Sequence, residues 1–291
     1  MKCFYHYDLD GKCAGSIVAK YEDNYDPSNY FMVDYVQKIP VENISNNEKV
    51  YFVDYSFTEN TKNVLYELID KKCDIVWIDH HTSSINLVKS NPELENINGI
   101  RLEGISGAAL TYMYLYDKKF DELPYYVKLV SDYDCWKYDF EPDTTMFKLG
   151  MDSINHDALE NIWKFFDYES NHKLEYPVER YLNDIINRGR TIKEYIEYDN
   201  IMYRDSYGYE SSISGYRCFV VNKKTNSWIF GELYEKYPLV VVWVFNGEKY
   251  QYSLYSSKED VDCSKIAESY GGGGHKGAAG FTHNDLLLKK I

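Results

Sequence analysis

Short apolar runs alternate with helical patterns of apolar residues over the first 135 residues of the chain. The apolar runs cover residues 2–5, 30–33, 50–53 and 75–78, and the helical patterns cover residues 13–21, 61–71, 83–90, 106–116 and 123–131. Runs of this length predict strands, and strands that alternate with helices are typical of a mostly parallel sheet. We therefore predict an α/β domain over residues 1–176, with helices flanking a mostly parallel sheet.

The pattern changes towards the C-terminus. Residues 179–204 have a long, charge-rich helical pattern, whereas residues 216–222, 239–245 and 250–255 are rich in β-branched and aromatic residues and predict strands. Asn246-Gly247 predicts a two-residue hairpin turn between the last two strands. A short helix is predicted at residues 264–270, before a run of four glycines. We predict a linker helix at 177–204 and a smaller α/β domain with a mixed sheet at 205–291.

The composition indicates a globular protein with an acidic first part. Of the 291 residues, 44% are apolar and 27% are charged, which suits one large or two modest domains. The net charge is −14, and residues 205–291 are neutral, so the first 204 residues carry all of it. Binding of long duplex nucleic acid needs a basic surface, so we do not expect this protein to bind it.

Membrane insertion and export are not expected either. No apolar run approaches the roughly 20 residues that a membrane-spanning helix needs, and the first residues lack the layout of a signal peptide. The expectation is a cytoplasmic protein without a membrane partner. Six cysteines are present, none of them in a C-x-x-C pair, so we expect neither a zinc site built from thiolates nor disulfides.

Acidic residues and histidines follow several of the predicted elements. They are His6, Asp8 and Asp10 after the first strand, Asp54 after the third, Asp79, His80 and His81 after the fourth, and Asp132 and Asp134 at the end of the helical pattern at 123–131. In an open α/β sheet, ligands bind beyond the carboxyl ends of the strands, where these side chains would meet. Residues 6, 8 and 10, if extended, would point to one side.

This set of side chains predicts a centre for two metal ions. Asp8, Asp10, Asp54 and Asp132 bring four negative charges, which two divalent cations would balance. Oxygen and imidazole ligands without sulfur suit manganese or magnesium, and the histidines favour manganese.

At these positions the sequence resembles the DHH phosphoesterase superfamily, which includes nano-RNases and RecJ-like oligonucleotide phosphodiesterases. The residues that carry the resemblance are His6-x-Asp8-x-Asp10-Gly11, Asp54, Asp79-His80-His81, Ser131-Asp132-Tyr133-Asp134-Cys135-Trp136 and, near the end, Gly272-Gly273-Gly274-His275 with Ala278-Ala279-Gly280-Phe281. The last two motifs resemble the DHH-associated C-terminal domain. The resemblance implies a catalytic DHH domain at 1–176 and a substrate-binding domain at 205–291.

The resemblance also implies roles for these residues. Two divalent ions, in this family usually manganese, with magnesium or cobalt as alternatives, would be held by His6 and Asp8 (first ion), by Asp10, His80 and Asp132 (second ion) and by Asp54 between them. Asp134 is the alternative to Asp132. A hydroxide bridging the ions would attack phosphorus, His81 would contact the phosphate and Asp79 would orient a histidine. The glycine-rich segment (Gly272, Gly273, Gly274, His275 and Lys276) would bind substrate phosphate.

Two departures from the family pattern concern the substrate. Many relatives have an arginine in the strand before the glycine motif, where this chain has Ser253-Leu254-Tyr255, and many have a proline where it has Lys276.

We therefore predict a manganese-dependent phosphodiesterase that hydrolyses short oligonucleotides or small dinucleotides, either cyclic or linear. The alternatives are a RecJ-like single-strand exonuclease, a pyrophosphatase or polyphosphatase, and a nucleotide-binding sensor without turnover. The expected partner is the oligonucleotide or dinucleotide substrate; monomer and homodimer are both open.

Overall fold

The structure is a computed structural model that describes residues 1–34, 38–166 and 178–291. The chain forms two compact units, Met1–Ile192 and Lys193–Ile291. The division falls inside a long helix, Val178–Tyr207, which covers most of the predicted linker helix. The predicted boundary at 176–177 lies outside the described residues.

A four-stranded parallel sheet forms the centre of the first unit. Its strands are β1 (Lys2–His6), β2 (Tyr30–Val33), β3 (Lys49–Val53) and β4 (Asp74–Ile78), in the order β2-β1-β3-β4. All three pairings are parallel, which confirms the predicted sheet. The carboxyl ends of β1, β3 and β4 therefore lie side by side at one edge.

The strands are buried on both faces. Successive side chains point to opposite faces of a strand, so Phe4, Phe52 and Trp77 pack into one core. Their neighbours Tyr5, Val53 and Ile78 pack into the other core. Each of these six side chains is at most 3% exposed, and burying one contributes about 1.5–3 kcal/mol. The two cores hold the ends of the strands in place.

Helices flank this sheet. Those of the first unit are α1 (Leu9–Tyr21), α2 (Asn63–Asp70), α3 (Thr82–Ser90), α4 (Gly107–Tyr116), α5 (Tyr125–Asp134), α6 (Asp143–Asp152) and α7 (Asn161–Phe165), and α8 (Val178–Tyr207) spans the division between the two units. No membrane-spanning candidate is found among the helices of the described residues, because none combines enough length with enough apolar character.

Two helix boundaries differ from the predictions. Helix α1 begins at Leu9 and not at residue 13, because the Asp8 side chain caps it and accepts a hydrogen bond from the Gly11 N–H (2.9 Å). The expected extended ribbon therefore holds only as far as Asp8, whose backbone is extended (φ −82°, ψ −173°), and is wrong for Asp10, which lies in the first turn of α1. Helix α5 continues to Asp134 and so contains the whole acidic segment.

The second unit contains a six-stranded mixed sheet, as predicted. The strands are β5 (Tyr209–Ile213), β6 (Tyr216–Val221), β7 (Leu239–Phe245), β8 (Tyr250–Tyr255), β9 (Gly273–His275) and β10 (Ala278–His283), in the order β5-β6-β7-β8-β10-β9. Only the pairing of β6 with β7 is parallel. The short helices α9 (Leu233–Lys236) and α10 (Cys263–Glu268) complete the unit.

The turn between β7 and β8 is longer than predicted. Phe245 pairs with Tyr250, so four residues form the loop. The side chain of Asn246 accepts hydrogen bonds from the N–H groups of Glu248 and Lys249, at 3.0 and 2.8 Å. This side-chain bonding stabilises the wider loop in place of a two-residue turn.

Candidate metal centre

The candidate ligands lie where three neighbouring strands end. His6 is the last residue of β1, Asp54 follows β3, and Asp79 and His80 follow β4. Asp54 has left-handed backbone (φ 53°), and its N–H donates a hydrogen bond to the carbonyl oxygen of Ile78 (2.9 Å).

A first group of potential ligands consists of His6, Asp8 and Asp54, whose ligand atoms all lie within 4.8 Å of one another. His6 Nδ1 is 2.8 Å from Asp8 Oδ2 and 3.7 Å from Asp54 Oδ2. His6 and Asp54 are buried, and Asp8 is half-buried. Two carboxylates and an imidazole in this arrangement suit a divalent transition-metal ion.

A second group adjoins the first. His80 Nε2 lies 3.4 Å from Asp54 Oδ1 and 3.2 Å from Asp134 Oδ2. His80 and Asp134 also form a compact set with the thiol of Cys135, and Asp54 and His80 form another with His81. Asp54 therefore lies next to both histidines, His6 on one side and His80 on the other.

Asp54 is the residue that most needs a cation. It is 1% exposed, and no described residue donates a hydrogen bond to either of its carboxylate oxygens. Burial, followed by the carboxylates of Asp10 and Asp8, raises its pKa well above the ordinary value. An ionised carboxylate without donors is costly to bury. Divalent cations would supply the missing partners, so the residues fit the predicted pair of ions.

Charge around the centre shifts two further groups. Burial and the carboxylate of Asp10 raise the pKa of Asp134 to about 7. Burial lowers the pKa of His80, but the hydrogen bond to Cys135 and the carboxylates of Asp10 and Asp134 outweigh it and raise the pKa to about 9. The carboxylate of Asp10 thus contributes to both pKa shifts, in addition to burial and to the hydrogen bond of His80.

Asp10 is held by the start of another helix. Its carboxylate accepts hydrogen bonds from the N–H groups of Gly107 (2.6 Å) and Ala108 (3.0 Å), in the first turn of α4. Helix N-termini favour negative charge. A Cβ at Gly107 would lie 2.5 Å from the Cβ of Asp54, so only glycine fits there. Asp10 is outside the three compact groups, although its charge acts on them.

The two candidates in the acidic segment of α5 have different environments. The buried carboxylate of Asp132 accepts hydrogen bonds from the N–H groups of Asp139 (2.9 Å) and Phe140 (3.1 Å) and from the hydroxyl of Thr144. Its oxygens therefore stabilise the turn after α5. Asp134 instead contacts His80. The structure brings Asp134 into the centre and leaves Asp132 outside the compact groups.

Asp79 and His81 lie beside the centre. Asp79 is fully buried; its Oδ1 lies 2.8 Å from His81 Nδ1, and its Oδ2 accepts a hydrogen bond from the Ser84 hydroxyl. The hydroxyl oxygens of Ser84 and Ser56 lie 3.0 Å apart, so the Ser56 hydroxyl can donate to Ser84. Asp79 thereby fixes the imidazole of His81, which is about a third exposed.

The glycine-rich segment belongs to the second unit, where it forms the edge strand β9. A Cβ at Gly272 would lie 2.2 Å from the carbonyl oxygen of Gly280, and one at Gly274 would lie 2.5 Å from the Cα of Ala279. These two glycines are needed for close pairing with β10. Gly273 has open space, and His275 and Lys276 are exposed.

Three contributors to the centre were not predicted from the sequence. Gly107 and Ser84 donate hydrogen bonds to Asp10 and Asp79, and the thiol of Cys135 lies beside His80 and Asp134 although Cys135 belongs to no C-x-x-C pair. The sequence contains a local signal for Gly107. Ser106, directly before it, is a typical helix-capping residue, and its side chain accepts a hydrogen bond from the Ala109 N–H at the start of α4. Such an N-terminus can take a nearby carboxylate.

We expect the substitution Asp54→Asn to stabilise the metal-free protein. A carboxyl group whose pKa is higher in the folded than in the unfolded state destabilises the fold at neutral pH, so its neutral isostere should add on the order of 1 kcal/mol in EDTA. Ions at a hundred times their Kd should stabilise the wild type by about 2.7 kcal/mol and the variant far less. Thermal unfolding with EDTA or manganese measures both effects.

The control is Asp260→Asn, which removes one exposed negative charge from the second unit and should change neither value. An equal manganese-induced rise in Tm for wild type and Asp54→Asn would contradict the role of Asp54 in ion binding.

Comparison with curated sequences gives one distant relative. No protein-family model matches the chain. The uncharacterized protein R106 of Acanthamoeba polyphaga mimivirus is 26% identical over 268 residues, which are 88% of this chain and 56% of the relative. The chain therefore spans about half the length of the curated relative that it matches.

Solved structures show the fold. The chain is similar to the pGpG-specific phosphodiesterase PggH from Vibrio cholerae (TM-score 0.57, 13% identity, 98% of this chain and 94% of that chain). It is also similar to the DHH domain of a member of a family of ribosomal proteins (TM-score 0.52, 13% identity, 96% of this chain and 81% of that chain). The chain thus has the fold of DHH-domain proteins.

Proposed function

We propose that this protein is a metal-dependent phosphoesterase that hydrolyses the phosphodiester bonds of short oligonucleotides or small dinucleotides. The observation that carries the proposal is the position of Asp54, a buried carboxylate without a described donor between two groups of ligand atoms. Two cations about one shared carboxylate form an arrangement that hydrolytic enzymes use for phosphoryl transfer. The DHH-type fold and the order of the motifs support the same class of reaction.

The ligand sets follow from the two groups. His6 and Asp8 would hold one ion, His80 and Asp134 would hold the other, and Asp54 would contact both. Asp134 takes the place that the motif resemblance gave to Asp132, because the oxygens of Asp132 already bond to the turn after α5. The mixture of imidazole and carboxylate favours manganese over magnesium.

Bound ions would lower the pKa of a water molecule and stabilise negative charge on the phosphate oxygens. The protein contributes orientation. N–H groups in the first turn of α4 hold the carboxylate of Asp10 in place, and Asp79 fixes the ring of His81 through Nδ1. An imidazole held in this way can contact a phosphate oxygen as its charge develops.

Small nucleotides are the proposed substrates for two reasons. The first 204 residues carry the whole net charge of −14, which disfavours long nucleic acid. A protein of the same fold, PggH, is a phosphodiesterase specific for the dinucleotide pGpG. We propose that the second unit binds a phosphate of the substrate at Gly273, where backbone is open to solvent, with His275 and Lys276 as donors.

Purified protein with manganese should release mononucleotides from pNpN and from RNA of three to five nucleotides. Asp54→Ala should lower kcat/KM by at least about 1,000-fold, because loss of a shared ligand affects both ions. Mass spectrometry of the products of a panel of phosphoesters measures this. Complete cleavage of pyrophosphate without cleavage of pNpN would contradict the substrate class, and binding without any hydrolysis would favour the sensor.

Asp134→Asn and Asp132→Asn should fail in different ways. The first should weaken metal binding about 10- to 100-fold, in calorimetric titration with manganese, because it removes a ligand. The second should lower the free energy of unfolding by roughly 1–3 kcal/mol, because it leaves buried donors unpaired. The reverse pattern would return the ligand role to Asp132.

Gly273 and Gly274 provide a matched pair in the second unit. Gly273→Ala should fold normally and raise KM for RNA of three to five nucleotides, because the added methyl group keeps a further phosphate from the backbone. Gly274→Ala should lower Tm, because φ is +145° and the Cβ would clash with Ala279. A Gly273→Ala variant with unchanged KM would exclude a phosphate contact at that position.

A further inference from the structure

A cleft of about 270 Å³ opens beside the candidate metal centre, within the first unit. Asp8, Asp10 and Asp134 contribute to its lining, so one part of the cleft belongs to the centre. Small-ligand sites usually measure roughly 300–1,000 Å³. The cleft is therefore close to the lower end of that range, which suits a small ligand and not a long strand.

Two lysines, Lys12 and Lys148, also line the cleft. Lys148 forms an ion pair with Asp152, one turn along α6, and its charge is neutralised there. Lys12, on the first turn of α1, is half-buried, and among the residues that the structure describes no acceptor binds its ammonium group. One positive charge thus remains available to a ligand.

Two tyrosine rings lie in the same lining. Tyr7 is 53% exposed, and its ring meets that of His6 edge-on at 4.6 Å. The ring of Tyr133 lies 5.4 Å from the ammonium group of Lys148. Tyr133 is half-buried, so Tyr7 is the ring open to a ligand, and exposed aromatic rings bind nucleobases by stacking with little dependence on the base.

We infer that this cleft is a subsite for one nucleotide of the substrate, in which Lys12 binds a second phosphate while the first lies at the metal centre. The inference rests on the proposed function and deepens it. The inference follows from the positive charges in the cleft. The ions would bind one phosphate, and the ammonium group of Lys12, which has no described acceptor, would bind another. Tyr7 and Tyr133 line the same cleft. The substrate class is a nucleotide unit with phosphate on both sides, as in a linear dinucleotide with a terminal phosphate.

Calorimetric binding with calcium in place of manganese tests the subsite without turnover, because calcium also binds to carboxylate oxygens. The ligands are adenosine 3′,5′-bisphosphate, 5′-AMP and 3′-AMP. The wild type should bind the bisphosphate about tenfold more tightly than either monophosphate, as a charge-assisted hydrogen bond to the second phosphate implies. Lys12→Met should abolish that advantage, and Lys12→Arg should retain it.

Lys89→Met is the matched control, because Lys89 is an exposed lysine on α3 outside the lining of the cleft. This variant should still bind the bisphosphate about tenfold more tightly than either monophosphate. With manganese, the ratio of kcat/KM for pNpN to that for NpN should fall about tenfold in Lys12→Met.

Equal affinities for the three nucleotides in the wild type, or an unchanged advantage in Lys12→Met, would overturn the subsite. A wild-type protein that hydrolyses no phosphodiester would overturn the proposed function instead. The binding experiment decides the subsite in either case, so the two failures are distinguishable.

Discussion

Repulsion between buried carboxylates at one edge of a sheet is the constraint on which the rest of this structure depends. The protein satisfies most of these groups with its own donors: the Gly11 N–H bonds to Asp8, the first turn of α4 bonds to Asp10, and Ser84 bonds to Asp79. Asp54 alone among them has both oxygens buried without a described donor. The carboxylate whose oxygens lack hydrogen-bond donors is therefore the one shared by two sets of potential ligands.

Rigid packing makes that concentration of charge possible. The strands that carry His6 and Asp54 are buried on both faces, so repulsion cannot separate them without opening two cores. Asp54 also has left-handed backbone, which costs about 1–3 kcal/mol for a residue other than glycine, and it packs against Gly107. Strain at a single residue, held by surrounding packing, is typical of positions with a function.

The sequence predicted the parallel sheet, the mixed second sheet and the meeting of acidic residues at strand ends, because apolar runs and their polar ends are local signals. It did not predict how Asp8 and Asp10 are presented, since a helix-capping aspartate and an extended one give the same alternating pattern. Whether Asp132 or Asp134 faces the metal centre depends on how far α5 extends and on which side of the helix each residue lies. Residues two apart point to different sides of a helix, and the sequence did not show that the helix continues through them.

Electrostatics also implies that ions would bind at this centre before the substrate does. The first 204 residues carry a net charge of −14, and a phosphodiester substrate is negative, so without ions the centre repels the molecule that it would bind. On the proposed function, bound cations would reverse the local sign at Asp54, whereas the positive charge of Lys12, one helical turn from Asp8, does not depend on ions. Substrate recognition would then divide between a contribution that depends on ions and one that does not. The metal ions would therefore govern binding of the substrate as well as its hydrolysis.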